Sequence, residues 1–298
     1  MNPLCPRCGR SRSIRHGVFY RADDAQSIQR YRCRDCGKCH SSATHAPTWR
    51  QKRRRINCLI ELDLASGVSQ RRCAMRVGCD RKTVARKLDF LAEQARGKLA
   101  HWLAEHGPFE AAQGDELVTF EHSRLKPLAA MILVSAPHRC IIGFGVAQIP
   151  ASGQIATKSR EKYGKRPDQS AAMRRQVLTD SAAYLSTETL LIETDEKKPY
   201  VREIATRLPH AEHRRYRSVR GALTGQGELK RTGYDPLFAI NHTLAMLRDN
   251  IKCLARRTWC TIKRADRLEA LLAIYAHFHN TRLLKRLPAP AASGGEGG

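Results

Sequence analysis

Apolar positions change their spacing along this chain, and each change marks a predicted boundary. Residues 1–48 are rich in Cys and Arg. Two short runs there, Val18-Phe19-Tyr20 and Gln29-Arg30-Tyr31-Arg32, predict the arms of a hairpin. Residues 49–106 switch to helical spacing. Ile56, Leu59, Ile60, Leu62 and Leu64 form one periodic stretch, which Gly67 ends. A short helix from Ser69 and a longer one from Asp80 follow, with a turn at Gly78 between them. The longer helix is expected to run through Val84, Leu88, Leu91, Ala95 and Leu99 to Trp102-Leu103, and 105–113 reads as a linker. Residues 112–285 mix strand-like and helix-like runs. A strand opens at Leu117 to Phe120. Apolar runs at 128–134 and 139–147, split by Ser135-Ala136-Pro137-His138, predict an antiparallel hairpin. Residues 151–176 are polar and basic and read as a flexible loop. Then come a helix at 170–184, a buried-type strand at 189–195, a helix at 199–207, a strand at 213–216, a helix from Asp235-Pro236 to about 254, and an amphipathic helix at 266–280. Residues 286–298 are rich in Pro, Gly, Ala and Ser and read as a disordered tail. The predicted class is multidomain α+β.

The helices of 49–106 have a specific build. Ser69 and Asp80 are good N-caps, Ala74 is small enough for close helix packing, and Gly78 suits the turn. Val84 and Leu88 face inward, so Arg81, Lys82, Arg86 and Lys87 are expected on the exposed side. This is the pattern of a helix-turn-helix whose second helix enters the major groove of duplex DNA.

Charge strengthens that expectation. The net charge is +25 over 298 residues. Residues 1–110 hold 23 Lys+Arg against 10 Asp+Glu, and the rest holds 30 against 18, so no single basic tail accounts for it. A polyanion is the expected partner, with double-stranded DNA first. No apolar run reaches the roughly 18 residues of a membrane span, and residues 1–5 lack the apolar stretch of a secretory signal. A cytoplasmic, nucleoid-associated chain is expected. In that reducing setting, 11 Cys are more often metal ligands than disulfides.

The Cys spacing carries chemistry. Cys5-Pro6-Arg7-Cys8 and Cys33-Arg34-Asp35-Cys36 are two CxxC pairs, each followed by Gly. Four thiolates at that spacing predict a structural zinc ribbon at 1–48. Cys39 and His40 lie close enough to substitute for one ligand, but the symmetric pair is preferred. The Arg-rich hairpin between the pairs is expected to touch phosphate.

The element order predicted for 112–285 is that of an RNase H-like mixed-sheet α/β domain. Asp115 on the first strand and Asp195 at the end of the fourth would then meet, because those strands are neighbours. Phosphodiester cleavage of this type uses two divalent ions about 4 Å apart, and Mg²⁺ or Mn²⁺ prefers oxygen ligands. Glu116, Glu121, Glu193 and Glu196 lie nearby and compete for the assignment.

The C-terminal residues Ala239-Ile240-Asn241-His242, Leu247-Arg248-Asp249-Asn250-Ile251, Arg256-Arg257-Thr258-Trp259-Cys260-Thr261-Ile262-Lys263, Tyr275 and His279-Asn280 resemble the signature of bacterial insertion-sequence transposases. These are DDE-type enzymes with an N-terminal zinc ribbon and helix-turn-helix. Gly114-Asp115-Glu116 and Thr194-Asp195 are similar to the family's first two catalytic acids. The resemblance covers nearly the whole chain in order, and it lies in the succession of motifs more than in any one of them. It implies binding to terminal inverted repeats, metal-dependent strand cleavage and transfer, and a homo-oligomer on DNA. It places Asn241 where the family usually has Glu. Glu228, 33 residues after Asp195, and Asp249 are the rivals for a third ligand. His242, Arg248 and Arg257 are candidates for phosphate contact, and Trp259 reads as a core residue. Two other classes stay open: a zinc-ribbon and helix-turn-helix regulator whose nuclease-like domain is degenerate, and an RNA-binding ribbon protein.

Overall fold

A computed structural model describes residues 2–217, 235–255 and 258–284. Glu228, Arg256, Arg257 and the tail 286–298 lie outside the described residues. The chain divides into two compact units, Met1–Ile60 and Glu61–Gly298.

In the first unit, β1 (Ser13–Arg21), β2 (Gln26–Cys33) and β3 (Cys39–Ser41) form an antiparallel meander in the order β1-β2-β3. β1 and β2 are the two predicted hairpin arms. The unit buries little apolar surface. Ile28, Cys5 and Cys33 are buried, while Val18, Phe19 and Tyr20 on β1 are exposed. So small a core does not hold a module of this size by burial alone.

Helix α1 (Asn57–Ala65) spans the boundary between the units. The second unit continues with α2 (Gln70–Arg76) and α3 (Arg81–His106). Ser69 Oγ accepts from the Arg72 N–H, and Asp80 Oδ1 accepts from the Lys82 N–H at 2.6 Å, so both predicted caps form. Gly78 takes a left-handed φ of 63° between them. The buried stripe of α3 is Val84, Lys87, Leu88, Leu91, Ala92, Ala95, Leu99, Trp102 and Leu103. Lys87 therefore departs from the expected exposed face. It follows Val84 by three positions and precedes Leu91 by four, which puts it on the stripe.

α3 ends at His106, so the connection to the sheet is shorter than the predicted linker. β4 (Ala111–Phe120), β5 (Pro127–Ser135), β6 (Ile141–Gln148), β7 (Leu191–Asp195) and β8 (Glu212–Tyr216) form one sheet in the order β6-β5-β4-β7-β8. The pairs of β4 with β5 and of β5 with β6 are antiparallel. The pairs of β4 with β7 and of β7 with β8 are parallel. Every residue of β5 is buried, which requires cover on both faces of the sheet. On one face, α5 (Ser170–Ser181) packs so closely on β6 that a Cβ at Gly145 would stand 2.8 Å from Val177 Cγ2. On the other face lies α7 (Phe238–Asn250). Between these elements stand α4 (Ala156–Tyr163) and α6 (Lys198–Arg207).

The final helix, α8 (Ala265–Phe278), packs along α3 and on β6. Arg267 bonds the Ala85 carbonyl and Asp89, and Leu99, Trp102 and Leu103 of α3 join the core of the sheet. Just beyond α8, Asn280 Oδ1 accepts from the Ile141 N–H at 2.9 Å and its Nδ2 donates to the Ile141 carbonyl at 3.0 Å. One side-chain amide thus satisfies both backbone groups of a residue on the edge strand.

Two further expectations are corrected. Residues 151–176 are not a loop throughout. α4 forms there and is pinned by Ser159 Oγ donating to the Leu125 carbonyl, and Arg166 donates to the Ile149 and Pro127 carbonyls. Helix formers and one buried Ser outweigh the polar composition. Trp259 is fully exposed instead of being in the core. Among the described residues, no helix is long and apolar enough to cross a membrane.

Candidate functional site

Both CxxC turns have the same backbone hydrogen bonds. The Gly9 N–H donates to the Cys5 carbonyl at 2.9 Å and the Cys5 N–H to the Arg10 carbonyl at 3.0 Å. The Gly37 N–H donates to the Cys33 carbonyl and the Cys33 N–H to the Lys38 carbonyl, both at 3.0 Å. Gly9 and Gly37 have φ of 71° and 70°, which a side chain would resist. The turns aim four sulfurs at one point, with all Sγ atoms of Cys5, Cys8, Cys33 and Cys36 within 4.8 Å of one another. Cys5 to Cys36 and Cys8 to Cys33 are 3.6 Å apart. Zn–S bonds of about 2.3 Å in a tetrahedron put sulfurs about 3.8 Å apart, so the cluster suits a metal such as zinc. The thiols share their protons. Burial opposes ionisation of Cys5, but the N–H groups of Arg7 and Cys8 and the neighbouring thiols bring it down. Against the pull of the Arg10 N–H, burial and the thiols of Cys33, Cys36 and Cys5 push Cys8 up, so the first proton leaves readily and the next ones only with a cation to take their place. Cys39 stands outside the cluster, exposed on β3, and His40 bonds Ser13 Oγ at 3.0 Å instead.

In the second unit, Arg81, Lys82 and Arg86 are exposed along the first turns of α3, as expected for residues that meet a phosphate backbone or base edges. The same unit builds an acidic site from register. Gly114 pairs with Thr194 in the parallel ladder, so the next residues, Asp115 and Asp195, are neighbours across β4 and β7. Gln113, Asp115, Leu117 and Thr119 share one face of β4, and Glu193 and Asp195 share that face of β7. Gln113 and Thr119 identify the face as the one under α7. The Ile240 N–H donates to Gln113 Oε1 at 3.1 Å, Gln113 Nε2 donates to the Pro236 carbonyl at 2.7 Å, and Thr119 Oγ1 donates to the Cys253 carbonyl.

Electrostatics separates the two aspartates from the competing acids. Glu116 points to the opposite face, where Arg174 at 2.9 Å and Lys197 at 2.7 Å neutralise it. Arg174 also clamps Glu203. Glu193 is held by Gln113 Nε2 at 2.9 Å and the Tyr216 hydroxyl at 2.8 Å. Glu121 pairs with Lys126 and Arg166, and Glu196 is exposed. Asp115 is different. Burial drives its carboxyl up to about 6 against the pull of the Glu116 N–H, and the charges of Asp195 and Glu116 add to the rise. Asp195 accepts from the Lys197 N–H at 3.2 Å. Two carboxylates that repel each other in a desolvated place form an arrangement that a divalent cation relieves.

Asn241 occupies the first turn of α7, one residue from the Ile240 N–H that docks on Gln113. Its Nδ2 donates to Asp235 Oδ2 at 2.9 Å, and its amide oxygen is the acceptor it can offer a cation. Asp249, the rival on the same helix, is exposed two turns further on, and its charge acts on Tyr275. His242 does not stand alone as a phosphate contact, because Arg139 Nη1 approaches its ring at 3.0 Å. Sequence reasoning missed Gln113, which ties β4, β7 and α7 together. The available signal was a lone polar residue two positions before Asp115 at the start of a buried strand. Comparison with models of known protein families and with curated proteins gives no match.

Proposed function

We propose that this chain is a DNA transposase of the insertion-sequence kind. In this reading the first unit is a zinc ribbon, α1 to α3 supply a helix-turn-helix, and the sheet with its helices is an RNase H-like catalytic domain. The observation that carries the proposal is the parallel register of β4 with β7. It makes Asp115 and Asp195 neighbours on the face that meets α7, and Asn241 follows Ile240, whose N–H docks on Gln113 two positions before Asp115. The mixed five-stranded sheet, with β4 between antiparallel β5 and parallel β7, supports the RNase H-like reading.

In the proposed mechanism, Asp115 and Asp195 hold divalent cations, with the Asn241 amide oxygen as an uncharged third ligand. Bound Mg²⁺ or Mn²⁺ would supply Lewis acidity to the attacking and leaving oxygens of a phosphodiester. Arg174 and Lys197 neutralise Glu116 on the far face, so its carboxylate does not compete with the aspartate pair for a cation. Arg81, Lys82 and Arg86 hold the duplex by its backbone and base edges, and exposed Lys158, Arg160, Lys162, Lys165 and Arg175 extend the positive field. A homo-oligomer on DNA follows from the need to hold two element ends together.

The test is cleavage of a plasmid carrying the DNA that flanks the protein's own coding sequence, with Mg²⁺ and without it. Wild-type cleavage that is lost in Asp115→Ala and Asp195→Ala supports the reading. Undiminished cleavage by both variants refutes the site. A second reading, a DNA-binding regulator with a degenerate nuclease-like domain, draws on the bond between Asn241 and Asp235. It predicts duplex binding with no cleavage by the wild-type chain.

A further inference from the structure

The first unit contains a cavity that the proposed function leaves unused. It has a volume of about 440 Å³, within the range of small-ligand sites. Its lining combines four cationic side chains, Arg7, Arg30, Lys38 and Arg50, with two aromatic rings, Phe19 and Trp49, and includes no carboxylate. The nearby acid Asp35 is engaged by Arg10 and Arg12. Register places Phe19 and Arg30 on one face of the sheet, since Phe19 pairs with Ile28 and Arg30 lies two residues further along β2. Trp49 is about half exposed, and the Arg50 guanidinium sits 4.4 Å from its ring centroid, which orients the indole. His40, 5% exposed, also lines the cavity, and its Nδ1 is buried with no hydrogen-bond partner.

Cations without acids, beside aromatic faces, describe a ligand that is anionic and planar. Regular duplex DNA presents phosphates but keeps its base faces stacked. An unpaired base exposes both. We infer that this pocket takes an unpaired nucleotide of a DNA strand, with the phosphate among Arg7, Arg30, Lys38 and Arg50 and the base against Phe19 or Trp49. The inference deepens the reading of the chain as a DNA-binding protein, rests on that reading for the polymer, and is independent of catalysis. It gives the zinc-bearing unit a preference for frayed or opened strand ends.

The zinc-loaded full chain is to be tested with a short oligodeoxythymidine carrying 5-iododeoxyuridine, with the corresponding duplex, and with thymidine 5′-monophosphate as competitor. Irradiation is expected to crosslink the unpaired strand to Trp49 or Phe19 and the duplex to neither. Trp49→Ala should weaken unpaired-strand binding about tenfold or more and leave duplex binding unchanged, while Trp49→Phe retains most of it. Zinc content and thermal unfolding check that each variant is folded. If Trp49→Ala loses zinc, Arg30→Ala and the crosslink map decide. Crosslinks at Trp259 alone, or equal strand affinity in Trp49→Ala and wild type, overturn the site. Efficient competition by the monophosphate overturns the strand as ligand in favour of a free nucleotide. Duplex binding with no unpaired-strand binding overturns this inference alone, whereas loss of both refutes the DNA reading as well.

Discussion

Asp115→Asn removes one charge from the aspartate pair and nearly preserves shape. The new amide oxygen can still accept from the Glu116 N–H, as the carboxylate does at 2.6 Å. The energy at stake follows from titration. The Asp115 carboxyl ionises at about 6 instead of near 3.8, first because burial strips its water and then because Asp195 and Glu116 repel it. A raised acid pKa means that the folded chain keeps a proton that the unfolded chain has lost. Stability therefore falls as pH climbs from about 4 to about 6, and the loss is complete above that. At about 1.4 kcal/mol per pH unit, the cost of holding Asp115 ionised is up to roughly 3 kcal/mol. Asp115→Asn should be more stable than wild type by up to that amount at about pH 8, a rise of roughly 6–12 °C in Tm for a unit of this size. The two proteins should converge below about pH 4.

Urea unfolding followed by the fluorescence of Trp102, buried in the core of the same unit, measures this directly. The metal-free condition must come from metal-depleted buffer, since a strong chelator would also strip the Cys cluster. Added Mg²⁺ should stabilise wild type and leave Asp115→Asn unmoved, because only a folded site with both acids gains from the ion. Equal stability at about pH 8, or a difference that does not change between about pH 4 and 6, would refute the desolvated pair and with it the electrostatic case for a cation site.

Other outcomes follow from the same geometry. Cys8→Ser or Cys33→Ser should abolish zinc binding, measured by native mass spectrometry, and leave the first unit open to proteolysis because its apolar core is so small. Arg174→Ala removes the cation from buried Glu203 and leaves Glu116 paired with Lys197, and should cost about 3–5 kcal/mol in urea unfolding. Arg81→Ala and Lys82→Ala should weaken duplex binding across sequences or relax base preference, each lowering the salt slope of binding by about one where it meets a phosphate. Lys87→Ala should leave that slope unchanged, since the side chain is buried in the α3 stripe.

What was legible in the sequence divides by the range of the interactions. Caps, knuckle glycines and strand runs are local, so Ser69, Asp80, Gly9 and Gly37 act as their neighbours in sequence require. The four thiols were equally legible, because two identical turns need only approach each other to form a tetrahedral site. At Lys87 chemistry and position conflict: its charge predicts exposure, while its spacing from Val84 and Leu91 puts it on the buried stripe. Trp259 is the converse: its large aromatic side chain predicts burial, but a side chain on a loop turns toward or away from the core independently of its size. The acids were the hard case. Predicted topology and resemblance favour Asp115 and Asp195, but composition alone leaves Glu116, Glu121, Glu193 and Glu196 as rivals. What ranks them is the distant cation or amide each one meets, namely Arg174 for Glu116, Arg166 for Glu121 and Gln113 for Glu193. Those partners lie far along the chain and become neighbours only when β7 pairs with β4. Gln113 shows the limit well. It sits two positions before Asp115, on the same face, and fixes the start of α7 against that face. Gln113→Ala would leave Asp115 and Asp195 chemically intact and remove the bonds to Pro236 and Ile240. If the site needs α7 to complete it, metal-dependent cleavage should then fall while the titration of Asp115 persists. A charge pair assembled by register and a helix assembled by one amide are thus separable contributions.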